Sequence, residues 1–340
     1  MNWLEDTTTI QIDPTSHCNA GCGTCVRFVP ETLELQPYLK LEHFPMDVYT
    51  RLITEDIKGT NVNCIAFNGN WGDACMNPNL IEMCILARRA NLFVSISSNG
   101  GVRTEKWWSD LAVALDGHGE VIFNIDGIDN ESNALYRAKT SYDKIIKNMQ
   151  AFNDAGGESI WIMTIFDYNN DQIDRAEELA KEYGCSGFTA RKNYSDIKEI
   201  VYPTHVVTLH NVDNTQAREV IWNKVKAARQ PRGFTTARSQ AQHDSQCPWY
   251  TEGEIQIDPY ATVWPCCITS QTSYGVEPGG HKYDPITGFT NLAKSPNYNL
   301  KTKTLKEILT DKWYTDILEK KIEGAEFSVC VDDCGVENRL

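Results

Sequence analysis

The stretch TTTIQIDPTSHCNAGCGTC, residues Thr7 to Cys25, joins a strand-like run to a cysteine-rich loop. Threonine and isoleucine dominate the run from Thr7 to Asp13, which is a composition typical of a β-strand. The loop that follows carries three cysteines spaced C-x3-C-x2-C. The sequence therefore predicts that these thiols lie directly after a first strand.

Strand-like and helix-like segments alternate from this first run as far as Arg191. The six strand-like runs are TTTIQID, VNCIAFNG, LFVSISSN, EVIFNID, SIWIMTIF and CSGFTAR. Two helical segments repeat apolar residues on one face, namely Tyr142, Ile145, Ile146, Met149 and Phe152, and then Ile173, Ala176, Leu179, Ala180 and Tyr183. This alternation predicts an α/β fold with a parallel sheet, and an open doubly wound sheet and a partial barrel both fit it. In either arrangement functional groups gather at the C-terminal ends of the strands, where the three cysteines are expected.

The pattern changes after the sixth strand. Polar sequence predicts a connecting segment with one helix, Thr215 to Arg229. The run EIQIDPYATVWPCC then predicts a hairpin around an Asp-Pro-Tyr turn, and an amphipathic helix is predicted around Leu305 to Leu318. We therefore divide the chain into a core domain, a connecting segment and a small C-terminal domain, at residues 1–191, 192–246 and 247–340.

Composition restricts the partners of this chain of 340 residues. Its formal net charge of −14 argues against nucleic acid and against an anionic membrane surface as partners. The sequence contains neither a signal peptide at its start nor an apolar run long enough to span a bilayer, so we expect a cytoplasmic protein. Thiols stay reduced in that compartment, and the 12 cysteines therefore indicate metal binding or catalysis before disulfides.

The first cysteine group, Cys18, Cys22 and Cys25, leaves one position of a metal centre unfilled. A structural zinc ion normally has four protein ligands. A [4Fe–4S] cluster held by three cysteines has one iron open to a small molecule. The spacing favours such a reactive cluster, while a zinc loop that takes a distant fourth ligand, His17 or Cys75, is the alternative.

The C-x3-C-x2-C spacing after the first strand of a βα repeat resembles the signature of the radical S-adenosylmethionine (SAM) enzymes. The resemblance implies a partial (β/α)6 TIM-like barrel and a [4Fe–4S] cluster whose open iron binds the amino and carboxylate groups of SAM. It also implies cleavage of SAM to a 5′-deoxyadenosyl radical, with electrons from a flavodoxin- or ferredoxin-type donor. One departure is Thr24, because the family often has an aromatic residue before the third cysteine.

Three later loops resemble further parts of the family pattern and imply the residues that bind SAM. In AFNGNWGDACMNPNL, Gly72 and Asp73 stand at the Gly-Glu positions of a loop that meets the amino group of SAM. In SISSNG, Ser98 and Asn99 end the third strand with hydroxyl and amide groups near the ribose. In NIDGIDNESNALYR, Asn124 follows the fourth strand, and Arg137 is implied to grip the SAM carboxylate while Asp126 orients the loop.

The C-terminal cysteines resemble an auxiliary cluster region of the SPASM type or of its shortened twitch form. The resemblance implies a second [4Fe–4S] cluster on Cys247, Cys266, Cys330 and Cys334, with Cys267 as a substitute ligand. Two departures are Ala261, where the family has glycine, and the C-x3-C spacing of the last pair. A zinc site with four cysteine ligands is the alternative.

We predict a radical SAM enzyme that removes hydrogen from a small-molecule or carbohydrate-like substrate in an oxidation or rearrangement. The short segment before the first cysteine leaves no room for a fused leader-peptide-binding domain, so modification of a peptide side chain is the second choice. A non-enzymatic iron–sulfur or zinc protein is the alternative of another class. The candidates for a catalytic side chain are Cys75 and Asp167, which lie near predicted strand ends.

Overall fold

Six parallel strands lie side by side in the order in which the chain forms them. The structure is a computed structural model that describes residues 2–29, 32–192, 199–202, 206–208, 217–222, 249, 252–273 and 295–318. The strands are β1 (Thr9–Ile12), β2 (Cys64–Phe67), β3 (Phe93–Ser98), β4 (Gly119–Asn124), β5 (Glu158–Ile165) and β6 (Gly187–Lys192). Each pairs in parallel with the next, which confirms the predicted α/β alternation.

Additional strands extend the sheet at both ends. On one side β10 (Glu254–Ile257) pairs in parallel with β1, and β11 (Val263–Trp264) pairs with β10 in the predicted antiparallel hairpin. On the other side β9 (Arg218–Ile221) pairs antiparallel with β6. Different strands therefore form the two edges, and the sheet is an open, partial barrel. Outside it, β7 (Glu199–Val201) and β8 (Val206–Thr208) form a two-stranded ribbon.

The predicted helix Thr215 to Arg229 is wrong at its described residues, because Arg218–Ile221 is a strand. Without a neighbour, the outer edge of β6 would leave backbone N–H and C=O groups unpaired, and β9 pairs with them. Two ion pairs from Arg218 hold the strand beside the preceding helix, at 2.7 Å to Asp174 and 2.7 Å to Glu177. Pairing with β6 thus outweighs the local preference of this segment for a helix.

Helices follow most of the strands along the chain. They are α1 (Trp3–Asp6), α2 (Met46–Arg51), α3 (Leu80–Arg89), α4 (Glu105–Leu115), α5 (Asn130–Tyr136), α6 (Tyr142–Asp154), α7 (Ile173–Glu182), α8 (Cys267–Ser273) and α9 (Leu305–Leu309). Short π-helical turns are Leu52–Asp56 and Trp313–Leu318, and 3-10 turns are Ala74–Met76, Asp167–Gln172 and Pro296–Tyr298.

The two helical faces predicted from sequence are buried as expected. All five apolar residues of the α6 stripe are buried, as are the first four of the α7 stripe. Ser141 caps the start of α6, because its hydroxyl accepts from the backbone N–H of Lys144. Burying each large side chain of this kind stabilises the fold by about 1.5–3 kcal/mol.

The described part of the C-terminal tail packs against the N-terminal segment. The ring of Tyr314 meets Trp3 edge-on at 5.7 Å, and its hydroxyl donates to the Val263 carbonyl at 2.9 Å. The backbone N–H of Leu305 donates to the Asp56 carboxylate at 3.1 Å. The predicted tail helix exists as α9 and the turn after it. Within the described residues, we find no helix with the length and hydrophobicity needed to cross a bilayer.

Candidate functional site

A cavity of about 430 Å³ lies at the carboxyl ends of the strands, and nearly all described site residues predicted from sequence line it. The lining includes the thiols of the first cysteine loop and the loops after β2, β3 and β4. The predicted residues found there are Cys18, Cys22, Cys25, Gly72, Asp73, Ser98, Asn99, Asn124, Arg137 and Cys267. The topology thus brings together groups that are more than 200 residues apart in sequence.

The cysteine loop folds into tight turns that direct its thiols at this cavity. The Cys25 N–H donates to the Cys22 carbonyl at 3.1 Å, and the Gly21 N–H donates to the Ala138 carbonyl at 2.8 Å. Burial, followed by the nearby Asp73 charge, raises the pKa of Cys18 to about 12, and burial raises the pKa of Cys22 to about 11. Thiolates at these positions therefore need a positively charged partner.

Two guanidinium groups flank the thiols. Arg27 is 3% exposed, and its Nη2 donates to the Ser16 carbonyl at 3.0 Å. Its Nε is buried and has no hydrogen-bond partner among the described residues. Arg27 lowers the pKa of Cys25, and Arg137 lowers the pKa of Cys22, although burial outweighs both effects. The sequence analysis did not identify Arg27. Its position two residues after the third cysteine is the only feature of the sequence that could have indicated it.

The thiols of the cysteine loop fit an iron–sulfur cluster. In the described part of the chain, no three His, Cys, Asp or Glu side chains converge on one point as a lone ion requires. Thiolates of a cubane cluster bind different iron atoms and need not converge in this way. Three thiolates and a [4Fe–4S] core carry net negative charge, which suits the buried cations and the unpaired Nε of Arg27. The alternative zinc ligands His17 and Cys75 do not line the cavity.

The loop after β2 is pressed against the cysteine loop, and this contact explains its glycine. A Cβ atom on Gly72 would lie 2.6 Å from the His17 carbonyl oxygen and 2.9 Å from the His17 nitrogen. The next residue donates its N–H to the same carbonyl at 2.8 Å. Gly72 also lines the cavity, so its lack of a side chain serves the approach of two backbones as well as any approach of a ligand.

The Asp73 carboxylate accepts several hydrogen bonds from neighbouring loops. Its oxygens accept from the Ser98 hydroxyl at 2.9 Å and 3.1 Å, from the Asn99 N–H at 2.7 Å and from the Cys75 N–H at 3.0 Å. Burial raises its pKa in spite of these bonds. These contacts join the loop after β2 to the end of β3, so Asp73 organises the cavity wall. Its contact with the amino group of SAM stays a prediction.

The end of β3 positions the first cysteine. The Asn99 amide donates to the Asn19 side chain at 2.9 Å and to the Cys18 sulfur at 3.8 Å, while its oxygen accepts from the Gly101 N–H at 2.8 Å. The Ser98 hydroxyl, predicted to lie near a ribose, donates to Asp73, and Ser98 lines the cavity. The turn predicted here therefore acts as a support for the cysteine loop.

Arg137 is held by a buried ion pair with Asp126. Its Nε donates to Oδ2 at 2.6 Å, and Oδ1 accepts from the Thr164 N–H at 2.7 Å. Asp126 is fully buried and does not line the cavity. The Nη atoms of Arg137 make no hydrogen bond to any described residue, and the side chain lines the cavity. A planar donor fork thus faces the cavity from a fixed position.

Tyr136 covers the position of Thr24 in the cysteine loop. The two hydroxyl groups lie 2.6 Å apart, and the tyrosine ring packs at a tilt against Phe166, with 4.6 Å between the ring centroids. The Tyr202 hydroxyl accepts from the Gly23 N–H at 2.9 Å and donates to the Tyr136 carbonyl at 3.0 Å. Neither tyrosine carried a sequence signal, since both act through a loop distant in sequence.

Only part of the predicted auxiliary site lies in the described chain. Cys266 is buried against Trp249, whereas its neighbour Cys267 lines the cavity. The predicted ligands Cys247, Cys330 and Cys334 lie outside the described residues.

The two weak candidates for a catalytic side chain are not in the cavity. Cys75 is fully buried in the main hydrophobic core, and burial raises its pKa well above the ordinary value. Asp167 is exposed at the start of a 3-10 turn. Proximity to a strand end in sequence does not determine whether a side chain faces the cavity or the core.

The structure is similar to several solved structures. SuiB of Streptococcus suis bound to S-adenosylmethionine matches with a TM-score of 0.57 at 14% identity, over 93% of this chain and 68% of SuiB. Native anSMEcpe with bound AdoMet matches with a TM-score of 0.56 at 14% identity, over 90% of this chain and 81% of anSMEcpe. Both are radical SAM enzymes. The chain has the radical SAM fold.

Sequence comparison adds nothing to this likeness, because no protein-family model and no curated protein matches the chain. The chain spans about two thirds of the length of SuiB. In this fold the strand ends and the cysteine loop line the same cavity.

Proposed function

We propose that this protein is a radical SAM enzyme that cleaves SAM reductively and removes a hydrogen atom from a bound substrate. The observation that carries the proposal is that one cavity is lined both by the three cysteines of the first loop and by Arg137. The shared fold supports it. We place the protein in the cytoplasm, with a flavodoxin- or ferredoxin-type protein as its electron donor.

Each part of the site has a role in this reaction. Cys18, Cys22 and Cys25 would hold a [4Fe–4S] cluster, which when bound supplies one electron that splits SAM into methionine and a 5′-deoxyadenosyl radical able to take hydrogen from the substrate. The Arg137 fork binds the SAM carboxylate in bidentate fashion. Arg27 balances the negative charge of the thiolates. The barrel wall keeps water from the reacting groups.

The test is SAM cleavage by anaerobically reconstituted protein. With dithionite and SAM we expect 5′-deoxyadenosine, measured by chromatography, and we expect a Cys18, Cys22, Cys25 triple alanine variant to form none. Cys84→Ala is the matched control, because this thiol is buried in the core away from the cavity. Equal cleavage by the triple variant would overturn the proposal.

We propose in addition that residues 1–191 form the catalytic core, that residues 192–246 connect it, and that residues 247–340 carry a SPASM or twitch-like second [4Fe–4S] cluster. Its ligands would be Cys247, Cys266, Cys330 and Cys334, with Cys267 as substitute. Iron analysis tests this, since two clusters require about eight irons per chain and one requires about four. Stoichiometric zinc in place of the second set of irons would favour the zinc alternative.

For the substrate, a small or carbohydrate-like molecule is our first choice, because the cavity is of the size that takes small ligands. Modification of a peptide side chain is the second choice, which the precursor peptide bound to SuiB and the peptide bound to anSMEcpe support. Transfer of deuterium from labelled candidates into 5′-deoxyadenosine separates the two classes.

A further inference from the structure

Arg27 is a buried cation at the base of the cysteine loop. It is 3% exposed, and it lines the cavity two residues after Cys25. Its Nη2 atom donates to the Ser16 carbonyl at 3.0 Å. Because Ser16 lies two residues before Cys18, this bond holds the guanidinium beside both ends of the segment that carries the thiols.

The charge of Arg27 is not cancelled within the part of the chain that the structure describes. No carboxylate there pairs with it, and its Nε atom is buried without a hydrogen-bond partner. The Phe28 ring lies 5.5 Å from the guanidinium carbon, and a ring face attracts a cation but carries no net charge. A buried charge in this state is costly, so the geometry requires an anion in the adjoining cavity.

Arg137, the other guanidinium beside these thiols, differs in this respect. Its Nε atom forms the ion pair with Asp126 at 2.6 Å, and the Asp73 charge also acts on it. These two carboxylates offset the positive charge of Arg137. Of the two arginines, Arg27 is therefore the one that brings uncompensated positive charge to the cysteine loop.

The charge of Arg27 reaches two of the three thiols. Burial raises the pKa of Cys25, while a hydrogen bond from the Arg27 backbone N–H and the charge of the guanidinium lower it. Burial also raises the pKa of Cys18, with the Asp73 charge adding to the increase and Arg27 opposing it. A cluster held by these sulfur atoms lies in the same electrostatic field.

We propose, on the basis of the radical SAM function proposed above, that Arg27 sets the reduction potential of the cluster in the first cysteine loop. It acts on one step, the transfer of one electron from the flavodoxin- or ferredoxin-type donor, in which no bond forms or breaks and no proton moves. The electron adds negative charge beside a fixed cation. Arg27 therefore stabilises the reduced form relative to the oxidised form and raises the potential.

A redox titration of the anaerobically reconstituted protein without SAM, followed by electron paramagnetic resonance, measures this potential. The signal that is absent from the Cys18, Cys22, Cys25 triple alanine variant belongs to the first loop. We expect Arg27→Gln to lower the ratio of reduced to oxidised cluster at a given potential about tenfold, which is about 59 mV for a one-electron couple. This is the effect of removing a unit charge roughly 10 Å away at an effective dielectric constant of about 20.

Arg27→Lys separates a role of charge from a structural role. Lysine keeps the positive charge and can still donate to the Ser16 carbonyl, so the ratio should stay within about threefold of the parent value. Arg89→Gln is the matched control, because it removes the same charge from the exposed end of α3 and should leave the potential unchanged. Thermal unfolding and iron per chain should be similar in all three variants.

An unchanged potential in Arg27→Gln, loss of its cluster, or an equal fall in Arg27→Lys would overturn the inference. The outcome is separate from that of the proposed function, because the titration contains no SAM. A shifted potential in Arg27→Gln together with a parent protein that never cleaves SAM would contradict the proposed function alone. A parent protein that binds no cluster at the first loop would contradict both.

Discussion

At the scale of single residues, Gly72 is the most restrictive position in the site. Any side chain there would press on the backbone of Thr15 and His17, neither of which can move without moving Cys18. We expect Gly72→Ala to lower the free energy of unfolding by about 2–4 kcal/mol and to reduce the iron bound per chain. Gly21→Ala is the matched control in the same loop, since its Cβ would meet only side-chain atoms at 3.5 Å or more. Equal thermal stability and iron content in the two variants would contradict this account.

The Asp126–Arg137 pair is the second residue-scale feature. Asp126→Asn removes the negative charge that holds Nε of Arg137, so the fork loses its orientation. We expect SAM to bind about tenfold more weakly by equilibrium dialysis, and Arg137→Lys to have a similar effect because lysine keeps the charge but not the fork. Arg175→Lys, in an exposed ion pair of α7, should leave SAM affinity unchanged. Unaltered SAM affinity in Asp126→Asn would show that the pair has only a structural role.

At the scale of elements, Asp13 links the end of β1 to the loop after β2 and to β10. Burial raises the pKa of Asp13 to about 8, and the nearby charge of Asp258 adds to the increase. Hydrogen bonds from the N–H groups of Trp71 and Asn70 favour the carboxylate and lower the pKa, but by less. The folded state therefore holds a proton that the unfolded state releases between about pH 4 and 8. The contribution of this group to the free energy of unfolding thus falls as pH rises through that window, by up to about 1.4 kcal/mol per pH unit.

Urea unfolding at pH 5.5 and pH 7.5 measures this effect. Asp13→Asn keeps an acceptor for the Asn70 N–H but carries no proton to lose, so its stability should change less between the two values. Parallel changes in the variant and the parent protein would mean that Asp13 is ionised throughout.

Some elements could be predicted from the sequence and others could not. The six core strands and the faces of α6 and α7 were predictable, because their apolar residues repeat with the period of the element itself. Strand β9 was not, because Arg218–Ile221 is a strand only beside the edge of β6. The same limit applies within the site, where Cys18 was recognisable from spacing but Tyr136 meets its cysteine loop only after folding.

At the scale of the whole molecule, the open barrel explains how distant segments form one cavity. Strand β10 lies next to β1, so the hairpin of the C-terminal region continues the sheet and brings Glu254 and Cys267 to the cavity of the N-terminal cysteines. Sequence alone did not predict that the hairpin pairs with β1, because parallel pairing between strands so far apart leaves no local pattern. The acidic net charge of −14 is compatible with basic groups gathered in the site, as Arg27 and Arg137 are.

The most direct test of the account is electron paramagnetic resonance of the anaerobically reduced protein, recorded with and without SAM. If the three cysteines of the first loop hold a [4Fe–4S] cluster with one iron open to ligand, SAM should change the cluster signal, and the Cys18, Cys22, Cys25 triple alanine variant should lose that response. A cluster signal that SAM leaves unchanged, or zinc in place of iron at this loop, would contradict the central claim.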